Sequence, residues 1–268
     1  MGLHDVHAHL TDRRLSPRAT EVVAAARAAG VTTIVSNGLN PADNEAVRAL
    51  AAREPMVRPA FGLYPVDAVL PEMLAQGVPY ERPDAEVVPA DDAVRWVRDH
   101  VDQAVAVGEI GLDRHWVPEG LWARQEEVFR SLVRLAIEAD KPVIVHSRKA
   151  EARMLEVLQE EGATRVDWHC FGGKTRLGLR IAEHGHWLSI PANARKSEAF
   201  TKLLRELPRD KVLLETDCPY LGPERGVTNE PANVSVTAAY AAELWGWPLE
   251  RVVDQLAQNF EALFGFAP

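Results

Sequence analysis

Residues 103–146 read QAVAVGEIGLDRHWVPEGLWARQEEVFRSLVRLAIEADKPVIVH. Two short apolar runs, Gln103–Glu109 and Lys141–His146, flank a helix-like stretch near 120–139. Valine-rich strands with little polar alternation are buried on both faces. A helix between two of them implies parallel pairing through a right-handed crossover.

The same unit repeats outward in both directions. Leu3–His9, Val31–Ser36 (VTTIVS), Met56–Gly62, Arg165–His169 (RVDWH), Gly185–Ile190 (GHWLSI) and Lys211–Glu215 (KVLLE) read as further strands. Ser16-Pro17 caps and opens an Ala-rich helix closed by Gly30, and Asn40-Pro41 starts one that runs to about Arg53. Asp91–Val101 reads as the returning helix of the third unit, with others near 150–161, 174–184, 196–206, 233–246 and 249–264. Eight such units predict one α/β domain over 1-268, a TIM (β/α)₈ barrel. A doubly wound open sheet is the alternative, but no G-x-G-x-x-G follows any strand. Pro65–Asp92 breaks the rhythm, with prolines 65, 71, 79, 83 and 89 and acids 67, 72, 81, 84, 86, 91 and 92. It reads as a surface insertion at about 65-92 in the third βα loop.

The 268 residues carry 30 basic and 39 acidic side chains, a net charge of −9, with 47% apolar residues. That balance excludes collagen-like, disulfide-scaffold and wholly disordered chains. No apolar run approaches the ~18 uncharged residues of a membrane span. Met1–Leu10 holds Asp5 and three histidines, so it is neither a signal peptide nor a basic transit sequence. Cys170 and Cys218 belong to no C-x-x-C pattern. A cytoplasmic location is expected, with no membrane contact and no obligatory protein partner. The acidic balance argues against a passive nucleic-acid coat. It leaves room for an enzyme that draws a phosphodiester into a site made positive by metal ions.

In such a barrel, catalysts gather where strands end and βα loops begin. His7 and His9 end the first strand, Glu109 the fourth, His146 the fifth and His169 the sixth, and Asp217 lies just past the eighth. Residues two apart in a strand point the same way, so His7 and His9 can grip one ion together. Each piece has a plainer alternative: a solvated H-x-H pair, packed imidazoles at His146 and His169, an ion pair for Glu109, and a turn before Pro219 for Asp217. Together, imidazoles and carboxylates at one rim are what a one- or two-metal hydrolytic centre requires.

Longer stretches carry a resemblance. Gly108-Glu109-Ile110-Gly111-Leu112-Asp113, Pro142-Val143-Ile144-Val145-His146-Ser147-Arg148, His169-Cys170-Phe171, Glu215-Thr216-Asp217-Cys218-Pro219-Tyr220-Leu221, Arg225-Gly226…Asn229-Glu230-Pro231 and Asn259-Phe260…Leu263-Phe264 follow the H-x-H pair. In this order they resemble the TatD-type metal-dependent deoxyribonucleases of the amidohydrolase superfamily of TIM barrels, over the whole chain. The resemblance implies that His7, His9, Glu109 and Asp217 hold one divalent ion, and that Glu109 bridges to a second held with His146 and His169. The ions would be Mg²⁺, Mn²⁺ or Zn²⁺. The expected activity is hydrolysis of DNA phosphodiesters from strand ends by a metal-activated water, with Asp217 and Glu109 catalytic. Hydrolysis of a small ester, amide, lactone or phosphoester by the same centre is one alternative; a non-catalytic metal-binding component is another.

Substrate contacts are expected from Arg148, Tyr64, Arg225 and Asn229. Arg148 could instead form a surface ion pair, and Arg225 and Asn229 could merely fix their loop. Three departures from the family pattern bear on substrate. Gly62-Leu63-Tyr64-Pro65 stands where the family usually has Gly-x-His-Pro, and Tyr64 can donate a hydrogen bond but carries no imidazolium charge. Lys149 replaces a frequent Asp after His-Ser-Arg. The acidic insertion, if it overhangs the mouth, would repel a polynucleotide. Trp116 reads as rim packing or a base-stacking ring. Alternation turns His4 to the opposite side from His7, and Cys170 away from His169, so Cys170 reads as a packing residue. His100, His115, His184 and His186 receive no role.

Overall fold

The computed structural model describes residues 2–83 and 85–266; Met1, Asp84, Ala267 and Pro268 lie outside the described residues. The first half of the chain runs β1 (Leu3–Ala8), α1 (Ala19–Ala28), β2 (Val31–Asn37), α2 (Pro41–Ala51), β3 (Val57–Phe61), α3 (Leu70–Ala75), α4 (Ala90–His100) and β4 (Ala106–Asp113). Then come α5 (Trp122–Glu138), β5 (Val143–Arg148), α6 (Glu151–Glu161), β6 (Val166–Trp168), α7 (Thr175–Glu183) and β7 (Trp187–Ile190). The series closes with α8 (Glu198–Glu206), β8 (Val212–Leu214), α9 (Val234–Trp245) and α10 (Leu249–Phe264). The strands form one sheet in sequence order, every neighbouring pair parallel. A parallel bridge from Ala8 to Cys218 brings the ends together. There the Asp217 N–H donates to the His7 carbonyl at 2.9 Å and the His9 N–H to the Cys218 carbonyl at 2.8 Å. This is the barrel expected from the repeat, and among the described residues no helix is long and apolar enough to cross a membrane.

Boundaries differ where pairing overrides local sequence. Ser16-Pro17 opens a 3₁₀ turn, with no side-chain cap, and α1 starts only at Ala19. Asn40 does cap α2, its side chain accepting the Asp43 N–H at 3.0 Å. β4 does not end at Glu109: after a register shift it continues through Ile110–Asp113, paired with Val145–Arg148. β5 likewise runs past His146. The glycine and polar residues in these extensions resemble loop sequence, yet the neighbouring backbone supplies their hydrogen-bond partners.

Two apolar layers hold the barrel. One lies between strands and helices and includes Ile34, Phe61, Val107, Val145, Phe129 and Leu132. The other takes Val6, Val35, Ala60, Ala106, Ile144, Trp187 and Leu213 from seven strands, together with Phe260, Leu263 and Phe264 of α10. Residues from so many strands meet only in the interior, so α10 plugs one end of the barrel. The His4 ring stacks on Phe260 at 4.3 Å and thus also faces inward, contrary to alternation from His7. The register irregularity between Asp5 and Ala8 accounts for the change of side.

The 65–92 segment is more ordered than a bare surface loop. It contains a 3₁₀ turn (Asp67–Val69) and α3, and Val66, Val69 and Met73 pack on Val117 and Leu121.

Two glycines let adjacent strands approach the inner residues. A Cβ at Gly62 would lie 2.4 Å from the Glu109 carbonyl oxygen, and one at Gly111 2.0 Å from the His146 carbonyl oxygen. Gly62→Ala should therefore destabilise by about 1–3 kcal/mol, or more if the backbone cannot yield, read from urea unfolding. A second outcome concerns pH. Buried His186 donates from Nε2 to the Ala163 carbonyl and accepts from Trp168 Nε1, and burial pushes its pKa down to about 4. The unfolded imidazole takes up its proton near pH 6.5 while the folded one stays neutral, so its contribution is full above that value and is lost as pH falls toward 4. His186→Gln should remove roughly 2 kcal/mol of the stability difference between pH 7 and pH 5.

Candidate metal centre

The six strand-end residues singled out in the sequence converge. His7 Nε2 lies 3.2 Å from His9 Nε2, 3.4 Å from Glu109 Oε2 and 3.8 Å from Asp217 Oδ1. His9 Nε2 is 3.5 Å from the same Glu109 oxygen and 3.4 Å from Asp217 Oδ1. The other carboxylate oxygen, Glu109 Oε1, lies 3.0 Å from His146 Nδ1 and 3.2 Å from His169 Nε2. Donor atoms placed about 2.1 Å from one ion stand roughly 3.0–3.4 Å apart in octahedral or tetrahedral arrangements. His7, His9 and Asp217 form one metal-competent group, and Glu109, His146 and His169 another. Glu109 turns one oxygen to each.

Local backbone explains the aim of these groups. Asp217 sits at φ +52°, three residues past the end of β8, a left-handed turn that aspartate tolerates better than most residues. That turn carries its carboxylate back over the barrel axis beside His7 and His9.

The far nitrogens of two imidazoles meet acceptors. His9 Nδ1 lies 3.2 Å from the Asn37 carbonyl and His146 Nε2 3.2 Å from Asp113 Oδ2, whereas His169 Nδ1 stands 3.7 Å from Glu215 Oε1, beyond hydrogen-bond distance. An acceptor behind an imidazole fixes its tautomer and leaves the near nitrogen's lone pair for a metal, so His9 and His146 fit one. Asp113, Glu215 and the Asn37 carbonyl were not singled out in the sequence. Asp113 carried a usable signal: Glu109, Gly111 and Asp113 share one face of a strand once β4 is extended.

Burial alone would raise the Glu109 carboxyl, but His169, His146 and His7 hold it well below the usual carboxylate range. Burial likewise opposes charge on His9, which Asp217 and Glu109 overcome, raising it to about 9. His169 also goes up, through Glu109 and Glu215, whereas burial and His169 push His7 down.

The cluster opens into a cavity of about 940 Å³. Tyr64 lines it, edge-on to His146 at 5.1 Å, and burial and Glu109 keep its phenol protonated. Arg148 and Lys149 also line it; Arg148 is exposed, has its guanidinium 5.8 Å from the Trp116 ring, and pairs with no acid among the described residues. Trp116 is 48% exposed at the rim. Cys170, two residues past the end of β6, packs against the core and also borders the cavity. Asn229 is buried and its amide is engaged within its own loop, donating to the Thr216 and Tyr220 carbonyls and accepting from Glu230 N–H. Arg225 is exposed and outside the cavity lining.

The expected acidic overhang is largely neutralised. Asp67 pairs with Arg82, Glu72 and Asp91 with Arg124, and Asp92 with Arg95. Glu86 lines the cavity, and its carboxylate accepts the Ala42 N–H at 3.1 Å.

Comparison with known proteins shows what this arrangement resembles. Residues 4–265 match a family described as TatD related DNase. Deoxyribonuclease TATDN3 of Homo sapiens is 37% identical over 177 residues, 65% of this chain and 65% of that protein. The match thus spans just under two thirds of the human relative's length. The uncharacterized metal-dependent hydrolase YabD of Bacillus subtilis is 34% identical over 185 residues, 65% of this chain and 71% of its own. Among solved structures, YJJV, a TatD homologue from Escherichia coli K12, superposes with a TM-score of 0.83 at 24% identity, covering 98% of both chains. A phosphotriesterase homology protein from Escherichia coli, complexed with phosphate, gives 0.72 at 16% identity and 98% of both chains.

Asp113 gives the centre a distinctive outcome to measure. Asp113→Asn removes the charge behind His146 and should weaken divalent-ion affinity about tenfold to a hundredfold, read by competition with a chromogenic chelator.

Proposed function

The chain belongs to the TatD-related deoxyribonuclease family, and from that premise we propose that it is a divalent-metal-dependent hydrolase cleaving DNA phosphodiesters from strand ends. The observation that carries this reading is Glu109 presenting one carboxylate oxygen to each of two histidine-containing groups in an open cavity. His7, His9, Asp217 and Glu109 would hold one ion, and Glu109, His146 and His169 the second, whether Mg²⁺, Mn²⁺ or Zn²⁺. Bound there, such ions supply Lewis acidity toward a phosphoryl oxygen and acidify water.

The chain's own residues do the rest. Asp217 is the least buried of the acidic candidates at 13% side-chain exposure and lines the cavity, so its carboxylate is the group that takes a proton from water. Glu109 stays ionised and keeps its two histidine groups in register. Arg148, with no acid to hold it, clamps a phosphate oxygen and balances charge that develops on it. Tyr64 donates one neutral hydrogen bond from the cavity wall. The free thiols of Cys170 and Cys218 suit a reducing compartment, which supports the cytoplasmic reading.

Tyr64 also favours a second reading, hydrolysis of a small ester, amide, lactone or phosphoester by the same centre, since it brings no charge for a phosphate. End-labelled single-stranded DNA separates the two. Metal-reconstituted protein should shorten it stepwise, and His7→Ala/His9→Ala should abolish both cleavage and ion retention. Intact DNA in the presence of fully loaded protein would transfer the activity to small esters. Asp217→Asn should lower turnover by at least a hundredfold even when ions are supplied at saturation; turnover near that of the parent protein would remove Asp217 as the proton acceptor.

A further inference from the structure

Two short turns leave the metal-competent residues and meet at the cavity wall. Asp12 follows His9 by three residues, and its N–H donates to the His9 carbonyl at 3.2 Å. Tyr220 follows Asp217 by three, and its N–H donates to the Asp217 carbonyl at 2.9 Å. Asp12 and Tyr220 both line the cavity. Arg14 joins them. Its Nε donates to Asp12 Oδ1 and its Nη2 to Asp12 Oδ2, each at 2.9 Å, while its guanidinium carbon stands 4.3 Å from the centre of the Tyr220 ring. Tyr220 is nonetheless 47% exposed.

A fork of two hydrogen bonds fixes the plane of the Arg14 guanidinium, and a guanidinium over an aromatic face holds that ring in turn. The backbone of Tyr220 is equally set, since Asn229 Nδ2 donates to its carbonyl at 2.6 Å. In a turn closed as this one is, the two ends lie within about 7 Å of each other, so the ring starts within a nucleotide's reach of Asp217. Tyr220 is thus an aromatic plate with one face taken by Arg14 and the rest open to cavity and solvent. Bases of any identity stack on such a plate, because each has a π-face. A ring ordered before its ligand arrives loses little freedom when the ligand binds.

Resting on the nuclease reading, we propose that Tyr220 is the stacking platform for the base of a nucleotide bordering the linkage being hydrolysed. The preferred substrate class is then a nucleic-acid end with its bases in place. A baseless sugar–phosphate end or a small ester leaves the ring unused.

The dinucleotide TpT and two analogues test this, each analogue carrying hydrogen in place of one thymine, on the 5′ or the 3′ nucleoside. For the metal-loaded enzyme, at least one analogue should show a kcat/KM about fivefold to a hundredfold below that of TpT. Tyr220→Leu should abolish that difference by lowering TpT to the level of the analogue, and Tyr220→Phe, which keeps the ring, should preserve it. A residue that only braces the loop after Asp217 would move all three substrates together and leave the difference standing. If TpT itself stays uncut, the nuclease reading fails by itself, and calorimetric titration of the same three compounds still reports on Tyr220. Equal values for all three, binding of none of them, or a difference that survives Tyr220→Leu overturns the assignment. Should Tyr220→Leu not fold, crystals of the parent protein soaked with TpT decide. A thymine offset-stacked on Tyr220, with ring centroids about 4.5–7 Å apart, supports the proposal, and both thymines lying elsewhere overturn it.

Discussion

A carboxylate enclosed in a barrel must be surrounded by groups that compensate its charge, and Glu109 sets that requirement here. Its two oxygens have different neighbours, His7 and His9 on one side, His146 and His169 on the other. Taking such a charge out of water is expensive unless every lone pair is met. The imidazoles meet them, and the acceptors behind His9 and His146 hold those two rings in place. The strands next to Glu109 and His146 need glycine at 62 and 111 so that their backbones can come this close. The centre is thus a constraint on backbone packing as much as a set of side chains.

The cavity above the centre carries charges of both signs. Arg82, Arg148 and Lys149 line it beside Asp12, Asp43, Glu86, Glu109, Glu151 and Asp217. Among the described acids of the 65–92 segment, Asp67, Glu72, Asp91 and Asp92 pair with arginines and Glu86 accepts a backbone N–H. A lining in which carboxylates outnumber lysine and arginine favours cations over anions until metal ions balance it.

The sequence made the barrel legible because its signal is repetitive: eight short runs of valine, isoleucine and leucine, each returning through a helix. The six converging residues were legible for a related reason, since strand ends in this architecture share one rim. Less was visible where the signal is not periodic. The continuation of β4 to Asp113 depends on hydrogen bonds from β5, and the inward turn of His4 depends on an irregularity that one strand alone does not reveal. Cys170 packs against the core as alternation suggested, and its place at the cavity was not visible because β6 ends at Trp168. Arg82 had no periodic mark at all; it reaches the cavity only because Val66, Val69 and Met73 fold its segment down onto Val117 and Leu121. Asn229 stood in a suggestive stretch, and its contacts instead secure the loop that follows Asp217.

The helix that fills the barrel floor comes after every strand in the order of synthesis. A ribosome delivers β1, with His7 and His9, before every other strand, and Asp217 only after seven further strands. Even then Val6, Val35 and Ile144 still lack Phe260, Leu263 and Phe264 to close over them. A growing chain therefore holds His7 and His9 through the synthesis of seven further strands without the scaffold that aligns them. The cluster around Glu109 comes together only once β8 has followed.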